Sequence, residues 1–429
     1  MPEEHKTIEA RSSASPAVYR HTKFMARFEK AFPWLLAGGA ALVLLETYRK
    51  NTNDRAKANA DIKAALKNQE HQAEVLKERK AERRERYTKA VEQLGNEKAP
   101  VRMGGVYTLI GLVDEWLEEK NLEYSERLKE GQVIINNLCA YIRSPFTLAS
   151  YYDELSEDAP SLEGSYKDKK EEFYVDKAIL DSEADVRLSI IKEIHDRIQV
   201  PDKNTPGAWS DFEYDFSGST FFYPIDLTNS YYTKPVNFSG STYQDEIRFD
   251  GSVYKDEADF GSSIYKSWAT FDGSTYTGWV GFNCSTYQSW ADFSASTYQD
   301  GTTFMSSTYQ SWADFSNSTC QSEVYFSDST YKGKADFCGS TYQNEVYFSY
   351  STYQSEADFS DSIYQGKADF SDSTYRGWAD FRNSAYQGRA GFTDSTYQNE
   401  VYFSGSTYED KANFSGSIFC GDDYYGKDR

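Results

Sequence analysis

Four histidines, five cysteines and a large surplus of carboxylates are the residues of this 429-residue chain that could do acid–base, nucleophilic or metal chemistry. His5, His21, His71 and His195 lie far apart and all precede the repetitive half that begins near Phe216, so neither a triad nor a metal-ligand set follows from their spacing. Cys139, Cys284, Cys320, Cys338 and Cys420 lack any CxxC spacing and fall in different phases of the repeat. They read as free, mostly buried thiols in a reducing compartment. The recurring "DF", "SD" and "ED" carboxylates could line up as cation-binding ladders, but such groups ordinarily form a solvated surface. No phosphate-binding or dinucleotide glycine pattern occurs. The expectation is therefore a chain with no catalytic residues, no cofactor and no metal site. Its binding chemistry rests on tryptophan. "YQSWADFS" stands at Tyr287–Ser294 and again at Tyr309–Ser316, and the same interval of 22 residues carries Trp268 to Trp290 and Trp312. Stacked on one edge, these three rings make a candidate patch for a protein partner.

The elements that must position them follow from composition. The chain contains 35 Tyr and 27 Phe, and beyond Phe216 it is dominated by Tyr, Phe, Ser, Thr, Asp and Gly, which suit strands and turns. Most of the net charge of −21 also lies there. That acidity repels phosphate, disfavours direct contact with nucleic acid and permits a basic partner.

From Phe216 to Phe414 an aromatic or large apolar residue recurs every 11 positions without an insertion, and a second series follows five residues behind, from Phe221 to Phe419, broken at Cys320. The unit is one pentapeptide plus one hexapeptide. In "ADFSD" and "STYQG" a small residue and a ring, two apart, point to the same side of an extended segment. The rings predict interior ladders, among them Phe238, Phe260, Phe293, Phe315, Phe337, Phe359, Phe381 and Phe403 with Tyr243, Tyr287, Tyr309, Tyr353 and Tyr397. One unit alone buries nothing, so stacking is required. The tryptophan interval favours a 22-residue coil, whereas the recurrence of "TYQNEVYFS" at Thr341 and Thr396, 55 apart, leaves an 11-residue coil open. The expected solenoid is a right-handed quadrilateral β-helix of roughly nine coils and about 45 Å. Whether the Tyr hydroxyls are buried or reach the corners is left open.

Ahead of the repeat, residues 1–30 read as a disordered polar tail without a cleavable signal. The uncharged stretch Ala31–Leu45, flanked by Trp34, Tyr48, Lys30, Arg49 and Lys50, predicts a membrane-spanning helix over 31–48, in an orientation that charge does not decide. Residues 49–95 predict a long helical stalk ending at Gly95, with a broken apolar stripe that could support a weak coiled coil and a homo-oligomer. Residues 96–206 predict a helical adaptor. Val106, Leu109, Ile110 and Val113 form one apolar face, Val133, Ile134, Leu138 and Ile142 a second, residues 146–170 an acidic loop, and Glu183–Ile198 a further helix. The repeat domain takes residues 207–429.

The adaptor carries a resemblance. Arg86–Gly95, "RYTKAVEQLG", followed by Val101–Tyr107, "VRMGGVY", and by the repeat, resembles a family of bacterial membrane-anchored pentapeptide-repeat proteins. In that family the next residues are often Ala-Leu-Glu-Arg, where this chain has Thr108, Leu109, Ile110 and Gly111. The resemblance implies a bacterial, membrane-associated architecture and no defined activity; with a single membrane pass, the free cysteines and the lack of a signal argue for a cytoplasmic solenoid. The functional expectation is a membrane-anchored, non-enzymatic scaffold that binds an unidentified protein. The alternatives are a DNA-mimicking regulator of a topoisomerase and an extracellular adhesion or ice-binding surface.

Overall fold

The structure is a computed structural model, and it describes residues 55–199 and 205–420. The chain divides into two units, residues 1–85 and 86–429. In the first, the described residues belong to α1 (Arg55–Leu94), a 40-residue helix with no Pro or Gly to interrupt it. From Ile62 to Glu85 the helix carries mostly exposed, largely charged side chains, and Leu66 is exposed.

The second unit begins with the last turns of α1, whose Ala90 and Leu94 are buried. Pro100 then opens α2 (Ala99–Leu117), where its missing N–H costs no hydrogen bond. Gly105 permits the two helices to approach, since a Cβ there would stand 2.7 Å from the Ala90 carbonyl oxygen. Helix α3 (Tyr124–Arg143), a 3₁₀ turn (Thr147–Tyr151), the short α4 (Tyr152–Leu155) and α5 (Lys170–Ile198) complete the block. Val106, Leu109, Ile110 and Val113 of α2 are buried with Ile134, Leu138 and Ile142 of α3 and with Ile190, Ile191 and Ile194 of α5.

From Tyr214 onward the chain winds through four parallel sheets of ten, ten, nine and nine strands. Its first coil consists of β1 (Tyr214–Asp215), β2 (Thr220–Phe221), β3 (Ile225–Asp226) and β4 (Tyr231–Tyr232). Tyr214 pairs with Val236, Thr220 with Thr242, Ile225 with Ile247 and Tyr231 with Val253, so one coil is 22 residues. Two physical periods are nested here. Rings one coil apart stack face to face, as Phe293 and Phe315 do at 5.0 Å and 2°. Rings 11 apart come from different sheets and meet edge to face, as Phe293 and Phe304 do at 5.0 Å and 77°. Both geometries suit the aromatic quadrupole. The 11-residue period is thus half a coil, and it is kept because alternate half-coils interlock.

Two smaller devices hold the coils. The Ser before the Thr-Tyr pairs is buried from Ser241 to Ser395: Ser307 Oγ accepts the Ser285 N–H at 3.1 Å and donates to the Phe282 carbonyl at 3.3 Å. After each Phe the chain turns through a left-handed residue, glycine at Gly240 and Gly273 but Ala295 (φ 53°) and Tyr350 (φ 58°) elsewhere.

The joint between block and solenoid is chemically dense. Buried Arg187 bonds Glu183 at 2.7 Å and the Ile142 and Ser144 carbonyls at 2.8 and 2.9 Å, and its guanidinium lies over Tyr141, Phe146 and Phe222. Asp114 receives Arg197 and the Trp209 indole N–H, each at 2.8 Å, and Trp209 and Phe212 are buried at the start of the first coil.

Several expectations need correction. No described helix is long and apolar enough to cross a membrane, which conflicts with the single-pass membrane placement; Ala31–Leu45, on which that placement and the lipid-bilayer partner stood, lies outside the described residues. Helix α2 has the length for a span, but it carries Arg102, Asp114 and Glu115 and spends its apolar side on the block's own core. The polar tail likewise lies outside the described residues. Val133 is 48% exposed, because its neighbour Ile134 points inward and consecutive helical residues diverge by about 100°. The 146–170 stretch contains the 3₁₀ turn and α4, which bury Ala149 and Leu155. Helix α5 starts 13 residues before Glu183, with Phe173 and Leu180 buried along the added turns.

Candidate functional site

The hexapeptide half of each unit carries one residue more than the pentapeptide half, and that extra residue sits at a corner. With a 22-residue coil, every second unit returns to the same corner. Ala269 pairs with Ala291 and Ala291 with Ala313, which brings Trp268, Trp290 and Trp312 onto successive rungs. Trp268 and Trp290 meet edge to face at 6.0 Å, and Trp290 and Trp312 stack at 5.6 Å and 18°. Trp268 is 52% and Trp312 40% exposed, so the rings form a shelf open to solvent. Trp279, 11 residues on from Trp268, belongs to the sheet edge before Val280 and not to this shelf.

Two residues beyond each of these tryptophans stands an outward position of the β3 sheet. From Asp292 the column continues through Asp314, Asp336 and Asp358 to Asp380, all in register. One oxygen of each carboxylate accepts the backbone N–H two residues later: Ser294, Ser316, Cys338, Ser360 and Arg382. This local bond fixes the rotamers and aligns like charges at about the 4.8 Å strand spacing. Burial pushes the Asp314 carboxyl up, against the hydrogen bonds from Ser316 that lower it, and Asp292 and Asp336 add to the rise. Further up, chain cations relieve the repulsion. Lys334 reaches Asp336 at 3.0 Å and Glu356 at 3.2 Å, and Arg382 pairs with Asp380.

The adjoining β2 sheet differs. Its outward column reads Thr286, Thr308, Thr330, Thr352, Thr374 and Thr396, an uncharged run of hydroxyls and methyls.

The sequence-derived ladder residues occupy three interior columns. Phe238 and Phe260 follow strands of the β1 sheet, Phe293, Phe315, Phe337, Phe359, Phe381 and Phe403 follow strands of the β3 sheet, and Tyr243, Tyr287, Tyr309, Tyr353 and Tyr397 lie in the β2 sheet. All are buried except Phe403, which is half-buried near the last described coil. The Tyr rings are inside, and burial pushes their phenols well up. Tyr265 donates to the Phe260 carbonyl at 3.3 Å.

Only Cys139 and Cys320 are buried; Cys284 and Cys420 are exposed, which corrects the expectation of mostly buried thiols, because both fall at turn or end positions rather than in a ring column. Asp336, Cys338 and Asp358 bring three potential metal-ligand atoms within 4.8 Å of one another. Lys334 already pairs with Asp336, and burial together with Asp336 pushes the Cys338 thiol up, which works against a thiolate ligand. That trio was invisible in the sequence, since Asp336 and Asp358 become neighbours only through the coil length. His195 lies 2.7 Å from the Thr228 carbonyl through Nε2, a structural bond between α5 and the first coil.

No protein-family model, curated protein or solved structure matches the chain. The repeat solenoid is compatible with a pentapeptide-repeat protein in coil length and residue order, while the adaptor motifs stand on their own residues alone.

Proposed function

We propose that this chain is a non-enzymatic binding scaffold of the pentapeptide-repeat type, a right-handed quadrilateral β-helix that presents the tryptophan shelf to a protein partner. The observation that carries the reading is the shelf itself, three indoles on consecutive rungs with Trp268 and Trp312 exposed on a mainly polar and acidic solenoid. Exposed stacked aromatics offer large contact area at low entropic cost, as binding hot spots do. Rigidity supports the same reading, because an interlocked solenoid loses little freedom when it binds.

The test replaces Trp268, Trp290 and Trp312 together by Ser in the full chain. The expected result is an unchanged far-UV spectrum and melting profile with the loss of proteins that cross-link to the wild type. An identical cross-linked set would remove the reading.

A second reading, an ice-ordering surface, is favoured by one observation: the threonine column on the β2 sheet runs in register over six rungs without a charge. Thermal hysteresis of the purified chain, abolished by Thr330→Lys and Thr352→Lys, would support it; none at millimolar protein would dismiss it.

A further inference from the structure

The solenoid already contains three places where a cation of the chain sits between a ring and a carboxylate. Lys334 lies 6.0 Å from the Trp312 ring centroid while reaching Asp336 and Glu356. Lys367 lies 5.0 Å from the Tyr347 ring and 2.8 Å from Asp369. Arg382 lies 5.1 Å from the Tyr402 ring and pairs with Asp380. In each case the ring and carboxylate belong to the same or the adjoining coil, so the arrangement is produced by the coil geometry rather than by one local sequence.

The same pair of components continues below Lys334 without a chain cation. Among the described residues, Trp268 and Trp290 have no Lys or Arg over their rings, and neither Asp292 nor Asp314 has an ion-pair partner. Lys334 occupies the corner position one coil above Trp312, a position that the next indole takes above Trp268 and Trp290, and it shows the chemistry this edge accepts: a positive group that meets an exposed indole and a free carboxylate oxygen at once. Cation–π attraction and a charge-assisted hydrogen bond then act together. Like charges in register raise the cost of leaving Asp292 and Asp314 unneutralised, and the chain's net charge of −21 favours approach of a positive partner.

We propose that the tryptophan shelf together with Asp292 and Asp314 is a docking strip for an extended Lys/Arg-rich peptide segment of a partner protein. The inference rests on the binding-scaffold reading and names the chemistry of its partner. The indoles hold the aliphatic stems and cationic heads, the carboxylates fix the heads, and Lys334 closes the strip at its upper end. Anionic surfaces are repelled.

The experiment measures binding of fluorescein-labelled nona-arginine to the full chain by anisotropy at physiological ionic strength, with nona-citrulline as the uncharged control. Asp292→Asn with Asp314→Asn keeps the oxygens that accept the Ser294 and Ser316 N–H groups and removes both charges. A control variant, Asp361→Asn with Asp372→Asn, removes the same charge at distant left-handed turns that Asn also tolerates. The expected result is about a tenfold weaker Kd for the first pair and for Trp290→Ser, less than a twofold change for the control pair, and no binding of nona-citrulline. Equal losses in the two Asp pairs would reduce the effect to net charge and overturn the strip. Tighter binding of spermine than of the peptide would overturn the peptide as occupant. If the Trp-to-Ser chain loses its cross-linked partners while the Asn pair binds nona-arginine unchanged, the scaffold reading stands and this inference fails.

Discussion

The helical block and the solenoid are both built on buried side chains, but they spend them differently. The block between Ala90 and Ile198 has a core of unlike aliphatic residues, and among its links to the solenoid is one buried cation, Arg187, shared by Glu183, two backbone carbonyls and three aromatic rings. The solenoid repeats a single solution, so that each Phe or Tyr contacts its like one coil away. Stability in the block is therefore concentrated in a few irreplaceable contacts, whereas in the solenoid it is spread as nearest-neighbour terms. A lesion should be decisive in the first region and graded by position in the second.

Arg187→Met breaks this comparison most directly. It leaves the Ile142 and Ser144 carbonyls without their donor and Glu183 with Arg102 and Tyr141 alone. The expected loss is about 3 kcal/mol or more, read in urea as early unfolding of the helical signal ahead of the β signal. A single shared transition with an unchanged midpoint would show that the joint is not concentrated on Arg187.

Inside the solenoid the comparison can be sharpened by one substitution at two heights. Phe304→Ala removes a fully buried ring stacked on Phe282 and Phe326, with an expected cost of about 3–5 kcal/mol. Phe414→Ala removes a half-buried ring of the last described coil and should cost about 1 kcal/mol or less. Equal destabilisation in denaturant melts would contradict nearest-neighbour additivity.

The smallest effect has the opposite sign. Ala295 and Tyr350 hold left-handed backbone that glycine adopts freely, so Ala295→Gly and Tyr350→Gly should each stabilise by up to about 1 kcal/mol, less the entropy glycine adds to the unfolded chain. Calorimetry would register a small rise in Tm, and a fall would mean that the side chains contribute contacts outweighing the strain.

The two regions also differed in how readily they could be read. The solenoid's 11-residue period and its inward rings follow from spacing, and the tryptophan interval favoured a shared edge for Trp268, Trp290 and Trp312, because a repeat that cannot slip by one residue writes its geometry into the sequence. The block was less legible. Helices α2 and α3 follow from apolar spacing, but Val133 was placed on the wrong side and α5 began 13 residues early. Tertiary neighbours, not local pattern, decided which turns were worth burying. Half of the candidate strip was readable as well: the tryptophan column was, whereas the role of Asp292 and Asp314 was hidden among many similar carboxylates.

By itself the sequence determined that rings recur every 11 residues, that they face inward, and that the repetitive half is acidic. Only the tertiary structure decided that two units make one coil, since that depends on which sheet each half-coil joins. The same decision sorted the surface into a threonine column, an aspartate column and a tryptophan corner. Side chains 22 residues apart are strangers in the chain and neighbours at about 4.8 Å once the coil closes, and it is this closure that turns scattered residues into a surface.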